Sequence, residues 1–289
     1  MANPKRVTGK EPAFPMLYLQ RTPAAPLSAF IEAFWYTKGY QVPHRRERVL
    51  PNGAIQLIIN LAQDYVIDHP RLPEECRVSR MPPSLIVGVQ SEYVVIDTAD
   101  LAEMMGILFW PGGFVPFFTP PADEFSNAHV SLESVWGPDA ARLRDRLRDV
   151  PDPEAKFQIL ETSLLAHARN RLIRHPAVDF AIRQFQASQH AGIVDDVTRQ
   201  LGLSRRRFSQ IFRERVGTTP KLYSRIRRFQ HAVHLIRRGS EIQWVDLALS
   251  CGYWDQSHFV NDFRAFSGIN PTTYVANLSQ WANHVPLEA

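Results

Sequence analysis

One stretch of this chain is written twice. Residues Leu201–Tyr223 read LGLSRRRFSQIFRERVGTTPKLY, and Cys251–Tyr274 read CGYWDQSHFVNDFRAFSGINPTTY. Phe208, Phe212, Gly217, Pro220 and Tyr223 return 51 positions later as Phe259, Phe263, Gly268, Pro271 and Tyr274. Gly202 and Gly252 stand 50 apart, so one copy has an extra residue in its turn. Five coincidences at one period mark an internal duplication, and this commits the region to two copies of one supersecondary unit.

Local signals define that unit. In the first copy Ile193–Leu201 reads as a helix and Leu203-Ser204 as a turn. Ser204 is placed to cap a helix over Arg205–Arg215, which Gly217 stops. Thr219-Pro220 then opens a helix to Arg238, whose stripe is Leu222, Ile226, Phe229, Val233 and Ile236. It ends at Gly239-Ser240. The second copy repeats the order, with a helix over Val245–Ser250 and a turn at Gly252–Trp254. Asp255 caps Gln256–Phe266, Gly268 stops it, and Asn270-Pro271 opens a last short helix. Helix, short glycine turn, helix is the helix-turn-helix unit, whose second helix can enter the major groove of DNA.

Helical spacing divides each second helix into a packing face and a reading face. Val197 and Leu201 are expected to meet Phe208, Ile211 and Phe212, and Val245 and Ala248 to meet Phe259 and Phe263. Arg205, Arg206, Ser209 and Gln210 are left on the outer face of the first. Gln256, Ser257, Val260 and Asn261 are left on that of the second, with His258 at the edge. Arg can take guanine O6 and N7 as a fork, Gln or Asn can take adenine N6 and N7, and Val260 can meet a thymine methyl. The charge balance agrees: Arg171 to Gln280 holds 16 Lys+Arg against 8 Asp+Glu, while Met1 to Asn170 holds 17 against 20. A polyanionic partner for the C-terminal half alone follows. A plain helical bundle would carry Arg205–Arg207 as a solvated face, but it would not need the fivefold match.

The rest of the chain reads differently. Residues 1–15 are polar and aperiodic. LSAFIEAFWYTKGY is a short amphipathic element running into the aromatics Phe34, Trp35 and Tyr36. Apolar runs follow at Arg48–Leu50, Ala54–Leu61, Tyr65–Ile67, Ser84–Val89, Tyr93–Thr98 and Glu103–Trp110. Their lengths and turn punctuation, including Pro51-Asn52-Gly53, suit strands of a sandwich or barrel. Helical spacing then takes over at Ser131–Trp136, Asp139–Asp149 and Pro153–Arg174. The fold class is therefore α+β: an N-terminal β-barrel or sandwich with helices, then an all-α domain of two helix-turn-helix subdomains joined by a long helix. The expected divisions are residues 1–170, residues 171–280 and a tail over residues 281–289.

Several functions find no support. No apolar run approaches the ~18 residues of a membrane helix, and no apolar block follows the basic N-terminus, so no secretory signal is expected. Cys76 and Cys251 form no motif and read as free thiols in a reducing cytosol. His44, His69, His129 and His167 are scattered without metal-ligand spacing, and neither metal nor cofactor is expected. Pro111-Gly112-Gly113 is a turn rather than a phosphate loop. An enzymatic barrel with a DNA-binding tail is the weaker alternative. Trp35, Phe109, Trp110 and Phe117 could line an effector pocket, but core is the better reading of them. The helices Asp139–Asp149 and Lys156–Leu172 are the natural place for a dimer face.

Residues ~175–275 resemble the DNA-binding domain of the AraC/XylS family of bacterial transcription regulators. LGLSRRRFSQIFRERVGTTPKLY, RRFQHAVHLIRRGSEIQWVDLALSCGY and HFVNDFRAFSGINPTTY carry the resemblance. It implies recognition helices in two successive major grooves of double-stranded DNA, one turn (~34 Å) apart. Carried over by position, the DNA-facing residues are Arg205, Arg206, Ser209, Gln210, Gln256, Ser257, His258 and Asn261. The family's usual Ile-Ala is Leu247-Ala248 here, its Gly-Phe is Gly252-Tyr253, and Asn261 stands where Arg is frequent. The resemblance also implies a cytoplasmic regulator with a cupin-like N-terminal domain for a small-molecule effector or dimerisation. A homodimer and contact with RNA polymerase are expected with it. ERVLPNGAIQLIINL and FWPGGFVPFF resemble an uncharacterised N-terminal domain found on some of these regulators.

Overall fold

The structure, a computed structural model, describes residues 16–69, 79–99, 101–168, 172–188, 190, 192–239 and 242–287. The expectations for residues 1–15 and for Cys76 lie outside these. The strand-forming half builds two antiparallel sheets. Its strands are β1 (Leu17–Arg21), β2 (Ile31–Lys38), β3 (Arg46–Val49), β4 (Gln56–Asn60), β5 (Val66–His69), β6 (Ser79–Met81), β7 (Ser84–Val87), β8 (Val94–Asp97), β9 (Glu103–Phe109) and β10 (His129–Ser131). The first sheet has the order β1-β2-β9-β4-β7-β10. The second contains β3, β8, β5 and β6 in that order, and its edge beyond β3 is taken by β11 (His284–Leu287). The two sheets do not close on one another, so the barrel alternative gives way to a sandwich.

The last strand corrects the expectation of a tail at residues 281–289. His284, Val285, Pro286 and Leu287 pair with Val49, Arg48, Glu47 and Arg46, and Val285 is buried. A four-residue run containing proline gives little strand signal of its own. Proline is tolerated here because β11 is an edge strand with a row of backbone groups that needs no partner.

Period-two alternation gives the first sheet two unlike faces. Phe34, Tyr36, Leu57, Ile59, Ile86, Met105, Ile107 and Phe109 point to one side and are fully buried. Helices cover that side: α1 (Glu133–Trp136), α2 (Pro138–Asp149) and α3 (Pro153–His167). Leu143 and Leu147 of α2 and Phe157, Leu160 and Leu164 of α3 complete the layer, with the Phe34 and Phe157 rings stacked at 6.2 Å. The other face turns to the second sheet. Trp35 opposes Gly106 on β9, where a Cβ would overlap the indole and sit 2.5 Å from Leu57 O. The glycine makes room for the large ring.

The helical half consists of α4 (Pro176–Ala187), α5 (Ile193–Gln200), α6 (Arg205–Val216), α7 (Pro220–Arg238), α8 (Trp244–Ser250), α9 (Gln256–Ser267) and α10 (Pro271–Ala276). Helix α3 ends at His167, short of the expected Arg174. Both halves are in close contact. Arg174 donates to Ala29 O and Pro111 O, each at 2.8 Å. Gln230 of α7 donates to Pro51 O at 2.7 Å, so the Pro51-Asn52-Gly53 turn is a docking point for α7. Arg213 of α6 lies 3.3 Å from Asp123. Among the described residues no helix is long and apolar enough to cross a membrane.

Candidate functional site

The duplicated sequence folds into duplicated geometry. Ser204 accepts a hydrogen bond from Arg207 N, and Asp255 accepts one from His258 N, so each second helix is capped at the same relative position. Gly217 and Gly268 close α6 and α9 with φ of +89° and +72°, a left-handed conformation that glycine adopts without steric cost. Thr219 and Asn270 cap α7 and α10. Inside, Phe208 and Phe212 are 5.7 Å apart at 65°, and Phe259 and Phe263 are 5.6 Å apart at 67°. Phe212 meets Tyr223 at 5.5 Å and 63°, and Phe263 meets Tyr274 at 5.5 Å and 64°. The repeated residues are thus scaffold, and they hold α6 and α9 alike.

Val197, Phe208, Ile211 and Phe212 are buried together, with Leu201 packed against them, as the spacing predicts. The second unit requires a correction. Val245 is 53 % exposed. Trp244, one residue earlier, stacks on Phe259 at 6.2 Å, and Leu247, Ala248 and Cys251 join it on the inner face. The helix starts at Trp244, and Trp244, Ala248 and Cys251 keep the 4, 3 spacing of one helix stripe. Burial pushes the Cys251 thiol up to about 11, which leaves it an inert core residue.

The outer faces carry the residues named from the sequence. Arg205, Arg206, Gln210, Gln256, Ser257 and Asn261 are exposed, and Ser209, His258 and Val260 are half-buried. They are not equally free. Arg205 pairs with Asp195 of α5 at 3.1 Å. Gln210 accepts from Arg207 at 3.3 Å and donates to Glu214 at 2.9 Å. His258 sets its ring edge-on against Tyr253 at 5.2 Å. Trp254, in the turn before α9, is 74 % exposed, and this large apolar ring beside the outer face of α9 has no signal in the repeat pattern.

A second candidate site lies between the sheets. A cavity of about 380 Å³ is walled by alternate residues of both sheets, among them Trp35, Ile58, Val87, Ile96 and Leu108. Of the four aromatics that could line an effector pocket or form core, Trp35 alone lines this cavity. Phe109 and Phe117 are buried in the helix-facing core, where their rings lie 6.0 Å apart. Trp110 is half-buried outside the cavity wall. The split follows from alternation: Trp35 opposes Gly106, so Phe109, an odd number of positions along β9, must point the other way. Sequence reading missed Tyr18 and Trp281, whose rings meet at 4.6 Å in the cavity wall. Among the described residues no group of three His, Cys, Asp or Glu side chains is placed to hold a metal ion.

Two family models match separate stretches of the chain. Residues 19–131 match a domain of unknown function (DUF6597), and residues 197–277 match a helix-turn-helix domain. The HTH-type transcriptional activator RhaS of Escherichia coli O139:H28 is 37 % identical over 70 residues, which are 24 % of this chain and 25 % of RhaS. The HTH-type transcriptional regulator ArgR of Pseudomonas aeruginosa is 27 % identical over 105 residues, 36 % of this chain and 32 % of ArgR. The chain therefore spans about a quarter to a third of the length of these curated relatives. A solved transcriptional regulator with an AraC-type DNA-binding domain, from Chromobacterium violaceum, is 27 % identical. It covers 36 % of this chain and 94 % of its own, with a TM-score of 0.33. ToxT from Vibrio cholerae is 9 % identical over 90 % of this chain and 98 % of its own, with a TM-score of 0.46.

Proposed function

We propose, from the premise that residues 197–277 form a helix-turn-helix domain of the AraC type, that this chain is a sequence-specific DNA-binding transcription regulator. One observation carries the reading. Two units with matching caps and aromatic cores present unlike polar faces, Arg-rich on α6 and neutral on α9. The scaffold is conserved between the copies while the outer faces differ, as two readers of two different half-sites require. The relatives named above are transcription regulators, which favours this role over catalysis.

Base contact is assigned to Arg205, Arg206, Ser209 and Gln210 in one groove, and to Gln256, Ser257, His258 and Asn261 in the next. The division near residue 170 separates a regulatory half from this reading half. The interior cavity supports a small-molecule effector that shifts the population of DNA-competent states. Homodimerisation, contact with RNA polymerase and residence in the cytoplasm belong to the same reading. Full-length protein mixed with a library of promoter fragments should retain a few selectively, with affinity falling steeply as salt rises because phosphate counterions are released on binding. Equal, weak retention of all fragments, or none at low salt, would overturn it. Light scattering with and without a retained fragment measures the stoichiometry.

A further inference from the structure

The cavity between the sheets has the size of a small-molecule site. Two of its lining residues carry a hydrogen-bonding atom that is buried without a partner, Thr37 Oγ1 and Trp281 Nε1. Buried donors are almost always satisfied in folded proteins, because an unmet donor loses its hydration for nothing. Indole N–H can only donate, so what completes Trp281 is an acceptor. Apolar side chains make up most of the remaining wall, and among the described residues no Lys or Arg lines it, whereas Asp97 does. Of the two histidines in the wall, His129 and His284, the latter is already engaged by Glu47 at 2.8 Å, so a carboxylate or phosphate would enter this space with no Lys or Arg to receive it.

The wall is shared with the DNA-binding half. Trp281, Ala282, Asn283 and His284 line the cavity, although they follow α10 in the chain. Asn283 O accepts from Leu50 N at 2.8 Å on the sandwich side. On the other side Asn283 Oδ1 accepts from Gln230 of α7 at 3.0 Å, and Ala282 O accepts from Tyr274 at 2.8 Å. Arg237, also on α7, donates to Ser279 O at 2.9 Å. The strap from residue 279 to 287 thus touches the cavity on one face and the helix joining the two motifs on the other.

We propose that the cavity binds an uncharged, mainly apolar small molecule bearing an acceptor oxygen, and that the strap over residues 279–287 passes its occupancy to α7. The second half of this statement rests on the regulator reading; the first does not. Prodan, 6-propionyl-2-(dimethylamino)naphthalene, is a suitable probe, being uncharged, aromatic and a ketone. Full-length protein should bind it saturably with blue-shifted emission. Val87→Phe, which fills the cavity, should abolish the signal, and Thr37→Val should weaken binding up to roughly tenfold. No saturable signal overturns the site, as does undiminished binding by a folded Val87→Phe variant. If Val87→Phe fails to fold, the near-isosteric Thr37→Val decides, and unchanged affinity there overturns the acceptor recognition.

The strap is tested separately, on a fragment first retained without probe. Saturating Prodan should change that DNA affinity several-fold. Gln230→Met should leave Prodan binding intact and remove the change. Prodan binding with no effect on DNA in the unaltered protein overturns the coupling. Absence of DNA binding at the outset overturns the regulator reading while the cavity result stands on its own.

Discussion

His284 Nδ1 lies 2.8 Å from Glu47 Oε2, joining the last strand to the third across 237 positions of chain. Glu47 is 1 % exposed, and its other oxygen receives Tyr40 at 2.7 Å and meets His44 at 2.6 Å. Burial alone would raise this carboxyl, but the hydrogen bonds from His284, Tyr40 and His44 and the His284 charge hold it at about 2. In the unfolded chain it titrates near 4.5. The ionised form is therefore the one that folding favours. Its contribution is whole above pH 4.5 and is lost as the pH falls through 2, up to about 3 kcal/mol. Glu47→Gln should lower stability at pH 7 by up to that amount and flatten the acid limb between about pH 5 and 2. Denaturant melts across this range measure it; parallel pH profiles for the two proteins would refute the assignment.

The same anchor shows where sequence reading stops. Two helix-turn-helix units were legible because caps, glycine stops and aromatic spacing are local signals that recur 51 residues apart. The sandwich strands were legible where apolar runs met turn residues. β11 was not, because His284–Leu287 becomes a strand only against the edge of β3. Trp35 and Phe109 looked equivalent as aromatics, and only the pairing register sends one into the cavity and the other into the core. Val245 and Trp244 differ by one position in the start of a short helix, enough to exchange inside for outside.

Arg206 is the sharpest probe of the reading face. It is exposed, whereas Arg205 is held by Asp195 at 3.1 Å and Gln210 by Arg207 and Glu214. Arg206→Ala should cost about 1–3 kcal/mol on a retained fragment and relax selection at one base pair. Arg205→Ala should cost less, since its guanidinium must first leave Asp195. Fluorescence anisotropy on the selected fragment and its single-base variants measures both. Uniform loss on every sequence would make Arg206 a phosphate contact instead.

The two aromatic cores should fail differently. Phe263 is fully buried between Phe229 at 5.1 Å, Phe259 and Tyr274, and its cluster runs without a break into the sandwich core. Phe212 belongs to a separate cluster formed by α4, α5, α6 and the start of α7. Both Phe→Ala changes should cost roughly 3–5 kcal/mol. Phe263→Ala should lower the main thermal transition, while Phe212→Ala should melt the first unit ahead of the rest. Calorimetry of the full chain distinguishes them; identical single transitions would mean that the clusters are energetically one.

Gly268 links the second motif to the sandwich. Its φ of +72° is left-handed, and a Cβ there would run into the Tyr93 ring, which also carries Arg48 over its face at 5.5 Å. Gly202 provides the matched comparison, with φ of +64° and open space around the missing Cβ. Gly202→Ala should therefore cost only the left-handed backbone penalty, about 1–2 kcal/mol. Gly268→Ala should cost that amount plus the displacement of Tyr93 and Arg48. Chemical denaturation gives both values, and the difference between them measures the contact between the halves. In a Tyr93→Ala background that difference should vanish, because the ring that a Cβ would strike is gone; if it persists, the extra cost of Gly268→Ala arises inside α9 and not at the interface.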